Sequence, residues 1–225
     1  MGGFSLGTAF DDLVLELARG QRVLFVPTAA GRADEVTDAF YASFASRAEP
    51  AHVEFNPWPP PNLRELVLAQ DVIYVSGGNT ANALAIWRVH GLDTLLREAW
   101  EAGALLCGWS AGTICWFEAG VTDSFGPELA GMRDGLGFLP GSACPHYDGE
   151  ARRRPVYEEL VRDGFPPGVA CDDAAAVLYE GRTLVGAVVR ESNAGAYRVG
   201  PEGELPIESV RTLWLSSRPG APRAP

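Results

Sequence analysis

In Gly108-Trp109-Ser110-Ala111-Gly112 a single serine stands between two glycines, at a point where one apolar run ends and another begins. A serine in such a place is suited to nucleophilic attack. In a G-x-S-x-G elbow a sharp strand-to-helix turn strains the backbone, and the glycines give it room. The hydroxyl is then lifted above the sheet at a helix start, where free N–H groups and the helix dipole favour a developing oxyanion. A hydroxyl needs a base, and the chain has three histidines. His52 lies in the strand-like "AHVEF". His90 precedes Gly91 at an expected helix C-terminus, where an imidazolium suits the dipole. His146 lies in "GSACPHYDGE", a loop rich in Gly, Pro and Asp. Loops of this kind carry catalytic groups more often than packing groups, so elimination leaves His146 as the base.

Four carboxylates compete to orient that base: Glu118 and Asp123 before it, Asp172 and Asp173 after it. The adjacent pair ends an expected buried strand, where carboxylates need partners. An acid lying between Ser110 and His146 would follow the α/β-hydrolase order, and an acid after His146 would not.

The elements that must position these groups alternate through the first half. Short, continuous apolar runs at "RVLFVP", "AHVEF", "DVIYVS" and "ALLCGW" read as buried strands. Between them, Val36, Phe40 and Phe44 share one helix face, "NPWPPPNLRELVLAQ" turns into a short helix, and "ANALAIWRV" runs to Gly91. Asp93 is the expected N-cap of "TLLREAWEA", which Gly103 stops. An apolar, helix-like run is expected directly after the elbow. Strand and helix in alternation, with strands apolar on both faces, imply a parallel sheet covered by helices on both sides. Later, "AAVLYEGRTLVGAVV", "AYRVG" and "TLWLS" read as a small antiparallel part, and 216–225 as a frayed tail. With no repeat and no dividing linker, residues 1–225 are expected to form a single domain.

The net charge of -11 excludes a nucleic-acid or anionic-membrane binder, which needs concentrated cations. The adjacent Arg152, Arg153 and Arg154 are too small a cluster for that, and read as a solvated helix start. The four cysteines form no C-x-x-C pair and have no histidine at metal spacing, so no metal and no cofactor is expected. They read as reduced thiols in a cytoplasmic protein with no signal peptide.

"VIYVSGGNT", "GWSAG" and "PHYDGE", in this order and spacing, together resemble the peptidase E (aspartyl dipeptidase) family of serine peptidases, a distant relative of cyanophycinase. The resemblance implies a flavodoxin-like fold akin to class I glutamine amidotransferases, with serine where those enzymes carry cysteine. It implies Ser110 as nucleophile and His146 as base. Laying "CDDAAA" against the family's acidic segment puts the third member on Asp173. It also implies that Asp123 lines the pocket and that one of Arg152 to Arg154, best Arg154, holds a substrate aspartate. With these roles, the N–H groups of Ala111 and Gly78 form the oxyanion hole and Asn79 and Thr80 border the substrate. The sequence departs from the family in one respect: a strand usually leads into the family's GGGxFS-like segment, whereas here only Met1 stands before Gly2-Gly3-Phe4-Ser5. The expected activity is hydrolysis of small peptides by a monomer or homodimer, with Asp-X dipeptidase specificity as one form of it. An esterase-like hydrolase and a non-catalytic binding module are the competing readings.

Overall fold

The computed structural model describes residues 1–4 and 6–213. A helix not anticipated from the sequence, α1 (Ala9–Leu17), comes first. The Thr8 hydroxyl caps it by accepting from the Phe10 N–H (3.3 Å), and Phe10, Leu13 and Val14 form its buried stripe. Strands β1 (Arg22–Val26), β2 (Glu49–His52), β3 (Val72–Val75) and β4 (Leu105–Gly108) then form an all-parallel sheet in the order β2-β1-β3-β4. β2 lies slightly earlier than the run "AHVEF", because its pairing with β1 starts at Arg22–Glu49.

Both faces of this sheet are covered. Val23, Phe25, Val72 and Tyr74 pack under α1 and α2 (Ala33–Phe44), through Val14, Phe40 and Phe44. The alternate residues Leu24, Val26, Ile73 and Val75 pack under α3 (Leu63–Leu68), α4 (Thr80–His90) and α5 (Leu92–Glu101). The twofold period of the strand therefore distributes one apolar run between two cores. Gly91, at φ 74, both ends α4 and starts α5, so Asp93 sits inside the first turn of α5 instead of capping it.

After β4 the helix expected from the apolar run is only four residues long, α6 (Ala111–Ile114). The chain then extends into β5 (Phe117–Thr122), followed by β6 (Ala130–Met132), β7 (Leu139–Cys144), α7 (Arg153–Arg162) and β8 (Gly168–Cys171). The carbonyls of Cys115 and Trp116, which a longer helix would use, instead accept from Leu136 and Leu139 (both 2.9 Å). β5, β7 and β8 continue the parallel theme inside a six-stranded sheet of order β12-β11-β8-β7-β5-β6.

The C-terminal strands do not stay together. β9 (Ala175–Glu180) and β10 (Thr183–Val189) form an antiparallel hairpin, and β13 (Ser209–Thr212) joins β10 in parallel. β11 (Ala196–Gly200) and β12 (Gly203–Pro206) extend the six-stranded sheet beside β8. The expected strand "TLWLS" lies outside the described residues from Trp214 onward, as does the tail.

Candidate active site

Ser110 sits between β4 and α6 at φ 54 and ψ -115, a left-handed conformation that a non-glycine residue rarely adopts. The cause is close packing of the elbow on β3. A Cβ added at Gly112 would lie 2.3 Å from the Val75 carbonyl oxygen, and one at Gly108 would lie 2.6 Å from the same atom. The Ser110 carbonyl starts α6 by accepting from Thr113 (2.8 Å) and Ile114 (3.1 Å). Trp109 is buried beneath, its ring 5.2 Å from Phe4 and 5.7 Å from Tyr74. A helix of four residues has almost no macrodipole, so in place of the dipole expected from the sequence only individual N–H groups are offered at this turn.

The imidazole of His146 joins the serine to an acid. Its Nε2 is 2.9 Å from Ser110 Oγ, and its Nδ1 is 2.7 Å from Asp173 Oδ1. A carboxylate only accepts, so Nδ1 carries the hydrogen and the Nε2 lone pair faces the hydroxyl. His146 itself lies at φ 55, with Ser110 one of two non-glycine residues of positive φ among the described residues, in the loop that leaves β7. Asp173 follows β8. The site therefore gathers at the carboxyl ends of parallel strands β3, β4, β7 and β8, where open α/β sheets bind their ligands.

Of the other carboxylates, Asp172 and Glu118 are engaged elsewhere and Asp123 faces solvent. Asp172 is buried, its Oδ2 accepts from the Gly195 N–H (2.7 Å), and burial pushes its carboxyl above the ordinary range. Glu118 accepts from Gly141 N–H (2.9 Å). Asp123 is exposed, beside Ser124, whose carbonyl accepts from Asn79 Nδ2 (3.0 Å). The other histidines also stay away from the serine: His52 meets the Tyr41 hydroxyl (2.9 Å) and His90 stacks on Phe55.

The Gly77-Gly78-Asn79-Thr80 turn leaves β3 and lies against Ser110. A Cβ on Gly77 would fall 2.6 Å from Trp109 Nε1 and 3.2 Å from Ser110 Cβ, and one on Gly78 would fall 2.0 Å from the Ala29 carbonyl oxygen. Gly78 takes φ 131, which only glycine adopts without strain. Ala111 is the first residue of α6, so its N–H is one that the helix itself leaves unused. Asn79 caps α4 through Oδ1, which accepts from Asn82 (2.9 Å), and Thr80 is 1% exposed. Of these two residues expected at the substrate, Asn79 is thus taken up in starting α4, and Thr80 is buried with its hydroxyl unpaired.

The three arginines are each paired. Arg152 meets Glu128, buried Arg153 meets Glu150 (2.8 Å) and the Val121 carbonyl (2.9 Å), and Arg154 meets Glu204 while lying over the rings of Tyr147 and Tyr197. Asp148, within the "PHYDGE" loop and given no role by the sequence patterns, accepts through Oδ1 from the backbone N–H of Asp173 (2.8 Å). Among the described residues no cluster of His, Cys, Asp or Glu is arranged to hold a metal, and no helix is long and apolar enough to cross a membrane.

Known proteins share this arrangement of chain. The model of Peptidase family S51 matches residues 4–186. The chain is 44% identical over 205 residues to the uncharacterized peptidase YgaJ of Bacillus subtilis (strain 168), covering 88% of each. It is 29% identical over 130 residues to Peptidase E of Shewanella denitrificans, which covers 54% of this chain and 55% of that one. Among solved structures, a peptidase from an acI-B1 Actinobacterium superposes with a TM-score of 0.70 over 93% of both chains at 18% identity, a likeness of fold. With a match over most of its length, and a close relative named as a peptidase, the chain belongs to peptidase family S51, the peptidase E family, and is a peptidase.

Proposed function

We propose that this peptidase is of the serine type and cleaves short peptides, with Ser110 as nucleophile, His146 as base and Asp173 as the orienting acid. The observation that carries the reading is the unbroken line Ser110 Oγ to His146 to Asp173, at 2.9 and 2.7 Å, with the serine held in a strained elbow. Ser110 Oγ attacks the scissile carbonyl as Nε2 takes its proton. The N–H groups of Ala111 and Gly78 receive the oxyanion, and removing one such donor typically costs about 2.7–4 kcal/mol. Asp173 steadies the imidazolium, which then protonates the leaving amine. Water enters by the same route and releases the acyl group.

An acid placed after His146 weighs against the esterase-like alternative with its α/β-hydrolase order. We read the specificity as one without a requirement for an N-terminal aspartate, since Arg152, Arg153 and Arg154 already face Glu128, Glu150 and Glu204. A net charge of -11 likewise favours small peptides over nucleic acid as the partner. In a panel of short peptides and esters, Ser110→Ala is expected to lower kcat/KM by about 10⁴-fold or more. Hydrolysis persisting within tenfold would remove the serine assignment. An Asp-X dipeptide cleaved at least 100-fold better than its Ala-X and Leu-X counterparts would overturn the specificity reading.

A further inference from the structure

The triad acid is poorly held by burial, since its side chain is 46% exposed. Its position depends on the backbone of residues 171–173, and that backbone is tied to the histidine loop at two points. The Tyr147 N–H donates to the Cys171 carbonyl (3.1 Å), and Asp148 Oδ1 accepts from the Asp173 N–H (2.8 Å). Asp148 lies two residues past His146, so one short loop carries both the base and the acceptor that fixes the acid. The next residue closes the space around the same carboxylate: a Cβ on Gly149 would lie 2.1 Å from Asp173 Oδ2, and one on Gly3 would lie 2.8 Å from Oδ1. His146 occupies an unfavourable backbone conformation (φ 55), which persists only where neighbouring contacts over-determine it.

We propose that Asp148 is a positioning residue, which acts through Asp173 and makes the base and the acid of the triad one rigid unit. The inference rests on the triad reading above. Its carboxylate does not touch the reacting atoms. It accepts a hydrogen bond that keeps the Asp173 backbone from drifting, and a misplacement of about 1 Å in such a constellation costs on the order of 100-fold in rate. The oxygen acceptor is the working feature, so an amide of the same shape serves in its place.

The test is a kinetic series on the full chain with one short peptide substrate: wild type, Asp148→Ala, Asp148→Asn, Asp173→Asn and the double variant Asp148→Ala/Asp173→Asn. Asp148→Ala is expected to lower kcat about 10- to 100-fold with KM within about threefold, and Asp148→Asn to recover most of that loss. In the Asp173→Asn background Asp148→Ala is expected to cost little more, because the group through which it acts is already disabled. Additive losses in the double variant, a rise in KM at unchanged kcat, or an Asn variant as impaired as the Ala variant would each overturn the proposal. Thermal melting of every variant accompanies the series, and should Asp148→Ala fail to fold, Asp148→Ser and Asp148→Ser/Asp173→Asn, whose shorter side chain also withdraws the acceptor, take its place: a loss of kcat below threefold in the single variant, or additive losses in the double one, rejects the proposal, and a loss of 10-fold or more that vanishes in the Asp173→Asn background sustains it. Asp173→Asn at wild-type activity would instead reject the triad reading itself, which separates the two failures.

Discussion

Asp172 and Asp173 are neighbours in the chain with opposite surroundings. Asp173 faces the imidazole of His146, whereas Asp172 is 2% exposed, with Oδ1 lacking a hydrogen-bond partner. Burial, more than the nearby carboxylate of Asp148, raises the Asp172 carboxyl above its ordinary range, and the Gly195 N–H opposes that shift only in part. The sign for stability follows. Between the ordinary carboxylate value and the raised one, the folded state binds more protons than the unfolded state, so stability falls as pH rises through that window. The stability of wild type relative to Asp172→Asn is therefore expected to decline as pH increases from about 4 toward neutrality, by at most about 1.4 kcal/mol per pH unit, and urea denaturation at several pH values measures it. A difference that stays flat or grows would contradict this account. That a double aspartate ends a buried strand was legible in the residue pattern. Which of the two turns to the histidine the pattern alone left open, and only the likeness to the peptidase E family pointed to Asp173, because successive residues leaving a strand point to opposite sides and a single step of register exchanges their roles.

The elbow joins β4 to a helix too short to stand alone. α6 is held by its contact with β3 and not by its own hydrogen bonds, since a four-residue helix is far below the length that propagates in water. Gly112 makes the contact possible, because any Cβ there would meet the Val75 carbonyl at 2.3 Å. Gly112→Ala is accordingly expected to destabilise the fold by about 1–3 kcal/mol and to lower kcat with it, read by denaturant unfolding and steady-state rates. An unchanged unfolding midpoint would show that the elbow has slack. The G-x-S-x-G pattern announced a sharp turn, and the turn is present. The run after it, Thr113 to Phe117, matched helix by hydrophobicity alone, yet Ile114, Trp116 and Phe117 are also good strand residues. Partners supplied by the segments at Leu136 and Leu139, remote in sequence, resolve the ambiguity toward β5.

The described chain holds an all-parallel four-stranded sheet and a mixed six-stranded sheet, linked in sequence through the elbow between β4 and β5, and the three-stranded β9-β10-β13 sheet. The four cysteines distribute among its cores. Cys115, Cys144 and Cys171 are buried, Cys107 is half-buried, and none is paired. Burial pushes Cys144 up to about 12 and Cys171 up to about 11, and it raises Cys107 and Cys115 as well. Thiolates are the reactive form, so the native protein is expected to react with a colourimetric disulfide reagent over hours, and to release four thiols per chain within minutes in denaturant. Rapid reaction of any thiol in the native protein would show local opening of the core around it.

Residue types and local spacing were enough to single out Ser110 and His146, which the fold brings within 2.9 Å of each other, and to recognise alternating strands and helices, because each rests on short-range chemistry: a turn that needs glycine, a loop rich in polar residues, a twofold or 3.6-fold apolar period. The motifs also carried the likeness to the peptidase E family, and the match over residues 4–186 agrees with it. Folding decided what depends on pairs far apart in sequence. It set Asp173 rather than Asp172 at the imidazole, neutralised Arg154 with Glu204, drew Asn79 and Thr80 into the start of α4, and divided the C-terminal strands between two sheets. These outcomes turn on register and on the approach of segments tens of residues apart, and no local pattern encodes a distance of that kind.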